Sequence, residues 1–94
     1  MHNRTPYVWD YNIGEQQFAE ILSGTLQLGR LDRLWALARL LEYAPYTEVI
    51  RRIGFKDLIE EWPRVRARIR SRSRRRGYDF LVSWIPSRHP ELLR

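Results

Sequence analysis

Arginine is the residue whose type and spacing in this chain could do chemistry. Arg64, Arg66, Arg68, Arg70, Arg72, Arg74, Arg75 and Arg76, eight of the sixteen arginines, fall between Pro63 and Arg76 in the stretch PRVRARIRSRSRRR. Outside it the chain holds nine basic residues against eleven acidic ones, a net charge of −2. The formal +6 of the whole is thus the sum of a mildly acidic body and one segment of +8. A guanidinium is a planar fork that binds phosphate or carboxylate through two parallel hydrogen bonds and stacks on rings. Charges packed this densely repel one another, and the nearby Asp57, Glu60 and Glu61 are too few to balance them. The segment therefore asks for an external anion. Nucleic acid phosphates, contacted without strong sequence readout, fit that requirement; an acidic protein surface fits it too. The segment alone does not choose between them.

Other reactive side chains are sparse. The chain has no cysteine, which excludes disulfides, thiolate metal sites and cysteine nucleophiles. His2 and His89 have no histidine or carboxylate company at ligand spacing, so no metal site is expected. Ser71, Ser73, Ser83 and Ser87 lie in no nucleophile setting, and no glycine-rich phosphate loop or cofactor motif is present. The chemistry expected is that of a non-enzymatic binding module. A helix-turn-helix spanning Arg33–Tyr43 and Tyr46–Ile53 would place Thr47, Glu48, Arg51 and Arg52 at the recognition positions. There Glu48 would face phosphates unfavourably. Trp9, in irregular chain near the start, is the tryptophan most suited to a partner surface.

The elements that must position the arginines follow from periodicity. A chain of 94 residues, 44% hydrophobic and carrying four Trp, five Tyr and three Phe, is read as one folded domain. Residues 1–14 form an extended lead-in. A helix follows over Glu15–Ser23, with Phe18, Ile21 and Leu22 on one face and Gly24 as its stop. Thr25–Gly29 is expected to be a loop that inserts Leu26 and Leu28 into the core. Leu31–Tyr43 is apolar around most of its circumference, capped by Asp32 and ended by Pro45; such a helix is usually central. Tyr46, Val49, Ile50 and Ile53 give Pro45–Ile53 a clean stripe, and a short helix over Lys56–Glu61 runs to Trp62-Pro63.

Read as a helix, the arginine segment lines up Leu58, Trp62, Val65 and Ile69 as one seam. Read as a strand, it alternates equally well. Arginine and alanine favour helix, Pro63 suits a first turn and no partner strand is evident, so a helix over 63–76 is predicted. Gly77 marks its end or a bend. Tyr78–Ile85 then forms a further helix, with Phe80, Leu81, Trp84 and Ile85 as its apolar stripe and Pro86 as its stop, and 86–94 is a tail. The expected fold is all-α: a single compact domain of about five short helices around a central apolar helix. No segment is long and apolar enough to span a bilayer. The start, MHNRTPYVWDYN, lacks a signal-peptide core, so the chain is expected to be cytoplasmic. The apolar sector of 63–76 holds only Val65 and Ile69, too little for a membrane-surface helix.

The strings YVWDYN, FAEIL, GRLDRLWALARLLEYAPYTEVIRRIGF and RRRGYDFLVSWIPSRHPELL resemble a group of small bacterial helical proteins of uncharacterised function. Over roughly residues 7–69 the chain is also loosely similar to presumed antitoxins encoded beside abortive-infection nucleotidyltransferase toxins. That resemblance implies a protein-interaction subunit gripping an acidic partner protein, and it implies no catalytic residues.

Overall fold

The computed structural model describes residues 13–93. The lead-in through Asn12, with His2 and Trp9, lies outside the described residues. Every regular element within them is helical: α1 (Glu15–Ser23), α2 (Arg33–Tyr43), α3 (Tyr46–Val65) and α4 (Arg72–Arg88), with short 3-10 turns at Arg66–Arg68 and Pro90–Leu93. The all-α expectation holds, with four α-helices in place of about five. The predicted helices on either side of Gly54 run together as α3, interrupted where Gly54 takes φ 79°, ψ 165°. Positive φ is a conformation that glycine adopts without steric cost.

α1 buries Phe18, Ile21 and Leu22 and closes on Gly24 at φ 88°, a left-handed cap that leaves its final carbonyls satisfied. The next loop departs from expectation. Leu26 packs against the core, but Leu28 is 38% exposed. Leu28 and Leu31 exchange backbone hydrogen bonds of 3.2 and 2.9 Å across Gly29, which turns the chain before Leu28 reaches the interior. α2 begins where Asp32 accepts a hydrogen bond from the Trp35 N–H at 2.9 Å, the N-cap geometry that relieves an orphan donor. Ala36, Leu37, Leu40 and Leu41 are buried along it. Burying such side chains stabilises the fold by roughly 1.5–3 kcal/mol for each large one. α1 packs on α2, α2 on α3 and α3 on α4, and α3 also meets both 3-10 turns, so the expected central role of α2 is shared with α3.

The seam Leu58, Trp62, Val65 and Ile69 is in place, none of its members more than 3% exposed. The continuous helix over 63–76 is not. α3 ends at Val65, the 3-10 turn follows, Ile69 and Ser71 are extended at ψ 119° and 117°, and α4 starts at Arg72. Two forces explain the break. A continuous helix would stack Arg66, Arg70 and Arg74, and Arg64, Arg68, Arg72 and Arg76, as like charges four residues apart, which is destabilising. In addition, the Glu42 carboxylate on α2 accepts hydrogen bonds from the Arg70 N–H at 2.6 Å and the Ser71 N–H at 3.0 Å. It thereby holds the chain open at the start of α4, where Ser71 Oγ accepts from the Arg74 N–H at 3.3 Å.

The end of the chain also differs from the sequence reading. Gly77 lies inside α4, neither an end nor a bend, because the Tyr46 ring is pressed against it: a Cβ at Gly77 would collide with the Tyr46 hydroxyl. α4 runs through Pro86 to Arg88, and the 3-10 turn Pro90–Leu93 structures part of the predicted tail. Its buried face is Tyr78 and Ile85, with Leu81 and Val82 packed partly against the core. Phe80 and Trp84, predicted on that inward stripe, are instead 59% and 37% exposed. Trp62 and Tyr78 meet at 5.2 Å, and Tyr46 and Tyr78 at 5.0 Å, an aromatic cluster that joins α3 to α4.

Candidate functional site

Of the eight segment arginines, two are engaged in holding the fold. Arg74 points back at the C-terminus of α2, where the last carbonyls of a helix have no intrahelical donor. Its Nε donates to the Leu41 carbonyl at 2.7 Å, and its guanidinium also donates to the Ala44 carbonyl and to the Tyr78 hydroxyl. It lies 4.8 Å over the Tyr46 ring and 5.7 Å from that of Tyr78. Burial pushes the Tyr78 hydroxyl up to about 12, with Arg74 pulling the other way. Arg66 forms a two-pronged pair with Asp79, both bonds at 2.8 Å, and the Trp62 Nε1–H donates to the same carboxylate at 2.8 Å. Those hydrogen bonds, Arg66 first and Trp62 second, lower the Asp79 carboxyl to about 2. Asp79 thus ties the turn after α3 to the second turn of α4.

The other six face outward or sideways. Arg64 makes a loose 3.6 Å pair with Glu61, whose carboxylate also pairs with Arg33. Arg68, Arg70, Arg72 and Arg76 are exposed and Arg75 is half-buried. Among the described residues, none of these five side chains has a hydrogen-bond or ion-pair partner within its guanidinium's reach. They form two surfaces. Arg68 and Arg70 line an open groove of about 450 Å³ together with Ala67 and, from α2, Trp35, Ala38, Arg39, Glu42 and Tyr43. Arg39 is stacked over Trp35 and Tyr43 at 5.7 and 5.8 Å. Arg72 and Arg76 rise from the outer face of α4, and Arg75 lies close enough to Asp79 to help depress its carboxyl.

Periodicity within the segment missed the residues that complete these surfaces. Arg39 and Tyr43 come from outside it, as do Phe80 and Trp84, which the apolar stripe of Tyr78–Ile85 assigns to the inward face.

The helix-turn-helix positions are committed elsewhere. Glu48 is gripped by Arg51 at 2.6 Å and Arg52 at 2.8 Å, which lowers its carboxyl to about 2, and Arg52 also reaches Glu15 on α1. His89 pairs with Glu91 at 3.1 Å. Ser83 and Ser87 donate to carbonyls one turn back in their own helix. Among the described residues no three His, Cys, Asp or Glu side chains group as a metal site, and no helix is long and apolar enough to cross a membrane.

No family model, curated protein or solved structure matches this chain.

Proposed function

We propose that this protein is a non-enzymatic module that binds the phosphates of nucleic acid through the outward arginines of the segment and of α4. The observation that carries the reading is the division of the segment. Arg66 and Arg74 are consumed by the fold, which leaves Arg68, Arg70, Arg72 and Arg76 held on an ordered scaffold with no ion-pair partner for their guanidinium groups among the described residues, and Arg75 only near Asp79. Backbone phosphates satisfy such a set without any base contact. Contact by about four of them gives duplex DNA affinity a log–log salt slope near −3.6. Fluorescence anisotropy with a labelled duplex across a salt series tests this. Absence of binding at low salt, or a flat salt dependence, contradicts it.

A second reading is favoured by one observation. The anions the segment does hold are carboxylates: Glu42, Glu61 and Asp79. An acidic protein partner, as in the antitoxin-like resemblance, would present the same chemistry to the remaining arginines. Co-purification of a partner that stays bound at a salt concentration that strips DNA supports this second reading over the first.

A further inference from the structure

The outer side of α4 carries a strip at every fourth residue, Arg72, Arg76, Phe80 and Trp84, all four exposed, which winds about 40° around the helix at each step. At 1.5 Å of rise per residue, successive members are about 6 Å apart along the helix and the strip is about 18 Å long. Phe80 and Trp84 stack on each other at 5.9 Å with only 21° between their planes, and His89 meets Trp84 at 4.7 Å. His89 is itself held by Glu91. Trp84 thus has ring neighbours in both Phe80 and His89, while Phe80 is 59% exposed, one helical turn after Arg76.

We infer that this strip is a stacking platform for single-stranded nucleic acid, with Phe80, backed by Trp84, taking an unpaired base and Arg72 and Arg76 taking the neighbouring phosphates. The inference rests on the phosphate-binding reading and narrows it from nucleic acid in general to strands whose bases are unstacked. An aromatic face binds any base that offers its own face, and in a duplex those faces are already covered by neighbouring pairs. The composition of the strip also disfavours a second copy of this chain. A second copy would bring its own Arg72 and Arg76 and a net charge of +6 to the same strip. An anionic strand with flat apolar rings complements both halves of the strip at once.

The test compares a fluorescein-labelled oligothymidylate of about fifteen nucleotides with a hairpin duplex of the same phosphate number, at low salt, by anisotropy. The single strand binds more tightly than the hairpin. Phe80→Ala weakens single-strand binding about 5- to 150-fold and leaves hairpin binding unchanged, while Phe80→Tyr retains both. R72Q/R76Q weakens binding to both. Phe80 is exposed, so the alanine variant is expected to keep its helical circular dichroism. If both probes bind but Phe80→Ala is silent or weakens them equally, the platform is overturned and the phosphate-binding reading survives. If neither probe binds, both fall. A dimer that Phe80→Ala converts to monomer in sedimentation would also overturn the platform, by assigning the strip to self-association.

Discussion

Arg74 and Arg76 lie two positions apart on the same helix and have opposite fates. Arg74 is half-buried, with its guanidinium spent on the end of α2 and the Tyr46–Tyr78 pair. Arg76 is exposed, one helical turn before Phe80. The same contrast separates Arg66, clamped by Asp79, from Arg68 on the rim of the α2 groove. Composition made these residues look like one feature. Their partners show that a run of like charges can be both a structural staple and a display surface, depending on which carbonyls and carboxylates the body brings to it.

The contrast breaks most visibly at Arg74. Arg74→Met removes donors from the Leu41 and Ala44 carbonyls and from the Tyr78 hydroxyl, and should cost on the order of 2–4 kcal/mol in urea unfolding. Arg76→Gln, the matched control, should stay within about 0.5 kcal/mol of the parent. Gly77→Ala is the next largest. Alanine in a helix interior should gain about 1 kcal/mol, but overpacking against Tyr46 costs roughly 1–3 kcal/mol, so the net change is destabilising. In a Tyr46→Ala background the same substitution should become stabilising, and a double-mutant cycle measures the switch.

Acid sharpens the distinction between paired and unpaired arginines. Asp79 and Glu48 are held near 2, below their ordinary 3.8 and 4.5. Depressed carboxyls contribute stability that is fully present above their unfolded values and lost as pH falls towards the folded ones. The melting temperature should therefore be level above about pH 5 and fall between about 4.5 and 2. Asp79→Asn should lower it at neutral pH and flatten part of that acid slope, because the clamp on Arg66 and Trp62 is then weakened at every pH.

Much of the fold was legible in the residues. Phe18, Ile21 and Leu22 on α1, the Asp32 cap and the seam Leu58, Trp62, Val65 and Ile69 all follow from helical spacing and local capping chemistry. Ile69 is instructive, since it reaches the core from extended chain and not from the helix that the spacing implied. What breaks that helix is Glu42, twenty-eight residues before Arg70, and no local pattern reports a contact at that range. The assignment of Phe80 and Trp84 to the core failed for a related reason. Leu81 and Ile85 sit one position after them, so the stripe had two possible faces, and the contact of Tyr46 and Trp62 with Tyr78 decided which one turned inward. Of the candidate site, the charge was readable and the division of labour was not.

The partition itself is tested most directly by the salt dependence of duplex binding in two variants. R68Q/R72Q/R76Q removes three unpaired cations, and each lost phosphate contact should reduce the magnitude of the slope by about 0.9. That variant should fall from near −3.6 to near −0.9 with its melting temperature unchanged. Arg74→Lys keeps the charge but loses the planar fork; it should lower the melting temperature and leave the slope of the folded protein where it was. A slope that responds equally to both variants, or to neither, would contradict the division of the segment into staple and display.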